Sequence, residues 1–92
     1  MRVVIADDSA LIREGLARLL IEAGIDVVAK PGDVAELIAA VHEQRPDVAV
    51  IDIRMPPTFK DEGAPAAVQL RVERPDLEVL LFSQSLERRF AT

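Results

Sequence analysis

Apolar residues fall in short unbroken runs separated by longer stretches in which they recur every three or four positions, so strand and helix alternate along the chain. Residues 3–6 (Val3, Val4, Ile5, Ala6) are apolar without alternation, as a strand covered on both faces would be. A helix is expected next, with Ser9 as its cap, Ile12, Leu16, Leu19, Leu20 and Ala23 as its apolar stripe, and Gly24 as its end. Residues 25–29 read as a second strand, closed by Pro31 and Gly32. The second helix has the clearest start. Asp33 with Glu36 three residues later has the form of a capping box, and Val34, Leu37, Ile38 and Val41 share one face before Pro46 ends the run.

Residues 48–51 form the third apolar run, with Asp52 at its carboxyl end. A turn-rich segment over 55–63 leads into a third helix with Ala66, Ala67 and Leu70 on one side. Pro65 confines its own position to the first helical turn, where a missing N–H loses no partner. Arg74, Pro75 and Asp76 precede a fourth strand over 79–82, Ser83 is the first polar residue after it, and residues 86–92 look like the opening of a fourth helix.

Helical crossovers make such strands parallel and bring their carboxyl ends to one edge of the sheet. The fold class is therefore α/β with an open parallel sheet, and Asp7, Asp8, Asp52 and Ser83 meet in the crevice where sheets of this kind bind ligands. Crowded carboxylates repel one another unless a cation is present. The simplest chemistry is a Mg²⁺-type oxygen site in which one carboxylate is free to accept a phosphoryl group.

Composition narrows the partners. Half of the 92 residues are apolar and 29% are charged, which suits one folded domain over residues 1–92. A net charge of −5 offers no basic footprint, so direct nucleic-acid binding by this segment is not expected. No cysteine is present to form a disulfide or a thiolate site. The apolar runs are of strand length and the start, with Asp7 and Asp8 so early, does not resemble a secretory leader, so no membrane association and a cytoplasmic location are the expectation.

Four segments in this order resemble the receiver (CheY-like) domain of bacterial two-component response regulators, in the branch that carries a helix-turn-helix of the NarL/LuxR type. They are the pair Asp7-Asp8, the run Asp52-Ile53-Arg54-Met55-Pro56, Glu62-Gly63 before the third helix, and Leu81-Phe82-Ser83-Gln84. The resemblance implies a doubly wound parallel sheet of flavodoxin-like strand order 2-1-3-4-5, of which this sequence reaches 2-1-3-4, so that an incomplete receiver lacking the fifth strand and final helix is expected. It implies that Asp52 takes a phosphoryl group from a sensor histidine kinase, that Asp8, Asp52 and the Arg54 carbonyl bind Mg²⁺ with help from Asp7, and that Ser83 bonds a phosphoryl oxygen in the active state. The family also uses a lysine at the end of strand five, before which this sequence stops; Lys60 and Arg54 are the nearby cations in sequence and are not expected to replace it.

Blander readings stand beside these. The acidic pair would also serve as a cap for the first helix, Ser83 as an ordinary turn residue, and Met55 as packing at a loop base. His42 reads as a surface side chain away from the crevice, and Glu62, Lys60, Arg88 and Arg89 as solvated charges. A phosphatase working through an aspartyl intermediate usually has a second acid two residues after the nucleophile, where Arg54 stands here, so a conventional turnover enzyme is not expected. The alternative function is a receiver-like interaction module without effective phosphorylation switching. Without a fifth strand, Val79, Leu80, Leu81 and Phe82 form an apolar edge, from which a homo-oligomer through exposed or swapped strand-four segments is expected.

Overall fold

Four parallel strands pair in the order β2-β1-β3-β4 in the computed structural model, which describes residues 1–53 and 63–82. The elements are β1 (Arg2–Ala6), α1 (Ala10–Glu22), β2 (Asp26–Ala29), α2 (Val34–Gln44), β3 (Val48–Asp52), α3 (Gly63–Glu73) and β4 (Glu78–Phe82). The expected doubly wound 2-1-3-4 arrangement is thus the observed one. Arg54, Met55, Lys60, Glu62, Ser83, Arg88, Arg89 and the fourth helix expected over 86–92 lie outside the described residues.

Alternation along the strands divides the core in two. Val4, Ala6, Ala49 and Ile51 pack on one face against Leu37 and Val41 of α2 and Ala66, Ala67 and Leu70 of α3. Val3 and Ile5 point to the other face, where Ala17, Leu16 and Leu20 of α1 meet them. Both faces of β1 are therefore buried, which is why its residues show no polar alternation.

Local chemistry sets the helix ends. Ser9 Oγ accepts the Ile12 N–H at 3.3 Å, so the expected cap of α1 is present. At the other end Gly24 takes φ +86°, its N–H donates to Ile21 O at 3.0 Å, and the Ile25 N–H donates to Leu20 O at 2.9 Å. This double closure satisfies the last carbonyls and brings Ile25 onto the core beside Leu20. Strand β2 consequently begins at Asp26 rather than at residue 25.

Two expectations need correction. Leu19 is 65% exposed and does not belong to the buried stripe of α1; the stripe centres on the side of Ala17, which is 2% exposed. Each residue turns a helix by about 100°, which places Leu19 on one flank of Leu16 and Ala17 on the other, and the sheet lies toward the alanine. Ala23 is exposed as well, because the chain is already turning away at the cap. The capping box of α2 is also only half formed. Asp33 Oδ1 accepts the Glu36 N–H at 2.8 Å, but Glu36 Oε1 takes the N–H of Gly32 at 3.0 Å instead of reaching the Asp33 N–H. Helix α2 ends at Arg45, whose φ of 48° is left-handed, immediately before the buried Pro46.

Pro65 occupies the third position of α3, within the first turn as required. Strands β2 and β4 are the two outer strands among the described residues, and on β4 Leu80 and Leu81 are 60% and 45% exposed.

Candidate functional site

Register brings the acids together. Strands β1 and β3 pair Ala6 with Ile51, so the next residues of each chain segment, Asp7 and Asp52, emerge side by side at the carboxyl edge. Carboxylate oxygens of Asp7, Asp8 and Asp52 all lie within 4.8 Å of one another. Asp7 and Asp52 are 0% and 3% exposed, whereas Asp8 faces solvent, so the pocket has a buried floor and an open acidic rim.

The main chain around each acid is held from several directions. Asp7 Oδ1 accepts the Ser9 N–H at 2.8 Å, which turns the chain into α1, and the Asp7 N–H donates to Pro31 O at 3.2 Å. From α1, Arg13 Nη1 donates to the Asp7 carbonyl at 2.7 Å. On the other strand the Ile53 N–H donates to Phe82 O at 2.8 Å, and the Gly63 N–H donates to Ile53 O at 2.8 Å. Gly63 is packed so tightly that a Cβ built there would meet the Asp52 carbonyl oxygen. The start of α3 thus rests directly on the backbone of the central acid.

These donors fit a small hard cation. Carboxylate oxygens are the ligands that Mg²⁺ prefers, and octahedral bonds of about 2.1 Å put neighbouring ligand oxygens about 3 Å apart and opposite ones about 4 Å apart. Three oxygens from acids clustered within 4.8 Å satisfy that spacing with little movement.

Sequence patterning identified all three acids that converge here. It did not single out Arg13, and it took Gly63 only as a helix start and Gly32 only as a turn residue. Nothing local marks Arg13, whose partners are a loop carbonyl and a glycine on another turn. His42 is exposed, as expected, but it also bridges two helices: its Nε2 lies 2.5 Å from Glu73 Oε1 of α3. Hydrogen bonds from His42 and then Gln69 hold the Glu73 carboxyl below its ordinary value of 4.5.

The family model described as the response regulator receiver domain matches residues 3–92 of this chain. The chain belongs to that family. As a receiver domain it is 38% identical over 84 residues to the DNA-binding transcriptional activator DevR/DosR of Mycobacterium tuberculosis, covering 90% of this chain and 37% of the relative. It is 37% identical over 87 residues to a protein-glutamate methylesterase/protein-glutamine glutaminase of Haloarcula marismortui, covering 95% of this chain and 23% of the relative. A LuxR-family two-component response regulator from Aurantimonas sp. superposes with a TM-score of 0.81 at 30% identity, over 98% of this chain and 63% of that one. The chain therefore spans roughly a quarter to two-fifths of the length of these curated relatives.

Proposed function

We propose that this receiver domain accepts a phosphoryl group from a sensor histidine kinase onto Asp52, in a Mg²⁺-dependent reaction that switches a transcriptional output. The observation that carries the reading is the convergence of three carboxylates from two strand ends within 4.8 Å. We assign the acceptor role to Asp52, which ends the inner strand β3 and opens the Asp52-Ile53-Arg54-Met55-Pro56 run that resembles the family's phosphoacceptor segment, whereas Asp8 lies out on the rim. The relatives named as transcriptional regulators favour a transcriptional output.

In the transfer, an Asp52 carboxylate oxygen forms a bond to phosphorus as the donor's P–N bond breaks, and the departing imidazole keeps the electron pair and takes a proton. Bound Mg²⁺ would supply charge neutralisation on the transferring oxygens. Asp7 and Asp8, with Asp52 itself and the Arg54 carbonyl, are the ligands we assign to it. Ser83 is assigned the hydrogen bond to a phosphoryl oxygen that converts phosphorylation into movement of the segment after β4. Burial of Asp7 and Asp52 keeps bulk water from the floor of the pocket, where fixed charges act most strongly.

Incubation with Mg²⁺ and a small phosphodonor, followed by intact-mass measurement, tests the assignment. A single phosphate adduct that disappears in Asp52→Asn and on chelation is expected; an adduct that survives Asp52→Asn would overturn it. We also infer a homo-oligomer formed through the exposed β4 edge, favoured by the accessible Leu80 and Leu81. Light scattering that finds a monomer at every concentration tested would refute that assembly.

A further inference from the structure

Arg13 projects from the first turn of α1 into the crevice between the loop that follows β1 and the turn that follows β2. Its Nη1 donates to the Asp7 carbonyl at 2.7 Å, while its Nε is buried with no hydrogen-bond partner. The guanidinium passes over Gly32 so closely that a Cβ on that residue would lie 2.8 Å from Nη1 and 3.7 Å from Cζ. Gly32 is itself fixed, since its N–H donates to Glu36 Oε1 at 3.0 Å, and the neighbouring Pro31 carbonyl accepts the Asp7 N–H at 3.2 Å.

We propose that Arg13 is a positioning residue for the acidic pocket, threading over the bare Cα of Gly32 to fix the main chain that carries Asp7 and Asp8. The inference rests on the cation-site reading above. Three features carry it. The hydrogen bond falls on the peptide joining Asp7 to Asp8, so any movement of the guanidinium is passed to two of the three carboxylates. The contact is retained although it leaves Nε desolvated without an acceptor, which is unfavourable for a residue serving only to stabilise the loop. Gly32 leaves open the space that the planar group occupies, since a Cβ there would lie 2.8 Å from Nη1.

The role differs from that of a ligand. Arg13 offers no lone pair to a cation and acts through the Asp7 carbonyl, as outer-shell groups orient the atoms that bind. Two variants separate geometry from charge. Arg13→Met removes both the hydrogen bond and the positive charge. Gly32→Ala keeps the charge but puts a methyl group where the guanidinium lies; because the clash falls on the end of a flexible side chain, the fold can yield by displacing Arg13, and the bond to Asp7 is what is lost.

Mg²⁺ alone, titrated at constant ionic strength and followed by the amide resonances of Asp8, Asp52 and Gly63, provides the readout, with thermal stability measured separately without cation. Arg13→Met should bind Mg²⁺ about 10-fold more weakly, the loss typical of removing an outer-shell partner. Gly32→Ala should weaken binding in the same direction with little change in cation-free melting, and Arg13→Lys should recover part of the loss. If both variants bind as the parent does, Arg13 is a structural residue and the proposal fails while the cation site stands. If the parent shows no saturable Mg²⁺ response, the cation-site reading fails and this inference falls with it. Should Arg13→Met not fold, the Gly32→Ala comparison decides alone.

Discussion

Gly63→Ala is the substitution with the most direct consequence for the site. A Cβ at this position would stand 2.2 Å from the Asp52 carbonyl oxygen, 2.9 Å from the Ile53 Cα and 3.0 Å from the Asp52 carbonyl carbon. All three are backbone atoms, so no rotamer change relieves the overlap. The start of α3 and the end of β3 must part by about 1 Å to restore ordinary contact, and the 2.8 Å bond from the Gly63 N–H to Ile53 O stretches as they do. Overpacking of this kind costs about 1–3 kcal/mol, and the weakened hydrogen bond adds about 0.5–1.5 kcal/mol. The better helix propensity of alanine offsets at most about 1 kcal/mol, leaving a net loss of about 1–3 kcal/mol. At about 4–8 °C per kcal/mol for a domain of this size, melting should fall visibly. Because the displaced atoms belong to Asp52, phosphate uptake measured by intact mass should fall with it. Gly15→Ala is the control: nothing lies within 4 Å of its added carbon, in the middle of α1, so it should stabilise by about 0.5–1 kcal/mol. Equal melting temperatures for the two variants, with undiminished phosphorylation of Gly63→Ala, would refute the close-approach argument.

Asp33→Ala removes the acceptor for the Glu36 N–H at the start of α2 and should lower stability in urea by about 1 kcal/mol. Asp8→Asn relieves repulsion at the acidic rim, so without cation it should be at least as stable as the parent, while the gain in melting temperature on adding Mg²⁺ should shrink; an undiminished gain would exclude Asp8 as a ligand. Glu73 is held below 4.5 by its hydrogen bonds to His42 and Gln69, so its stabilising contribution is complete above that value and disappears as the pH falls through the depressed pKa. An NMR titration should therefore show the Glu73 midpoint moving up toward 4.5 in His42→Ala, and a midpoint that does not move would deny the helix-to-helix bridge.

The strand order and the meeting of Asp7, Asp8 and Asp52 were legible because they depend on connectivity. Apolar runs joined by helices leave few ways to wind a sheet, and each run carries its following acid to the same edge. Helix caps were legible for a similar reason, since Ser9 and Asp33 act on N–H groups three residues away. Leu19 and Ala17 show where this stops. Hydrophobicity favoured the leucine, but the sheet approaches α1 from the side where a small residue lets it come close, and only the packed structure reveals that direction. The return half of the capping box was displaced to Gly32 by the course of the chain out of β2, which no local pattern records.

Arg13, and the part that Gly32 and Gly63 play beyond a turn and a helix start, escaped notice for a common physical reason: each works through a close contact between different elements, Gly32 under the Arg13 guanidinium, Arg13 on the Asp7 carbonyl and Gly63 on the Asp52 main chain. The acids they surround supply the need for such contacts. Oxygens of the three acids lie within 4.8 Å of one another, and two unit charges at that limit repel by about 1 kcal/mol in water and by about 3.5 kcal/mol at the effective dielectric near a protein surface. This repulsion pushes the ends of β1 and β3 apart. Hydrogen bonds on both segments oppose it: Ser9, Arg13 and Pro31 hold the Asp7 segment, while Phe82 and Gly63 hold the segment after Asp52. Each of those contacts uses a hydrogen bond, and at Gly32 and Gly63 the missing side chain allows the partner to come near enough. The acids determine which chemistry the pocket can perform, and the hydrogen bonds around them, with the bare Cα atoms of Gly32 and Gly63, determine whether its oxygens stay close enough to perform it.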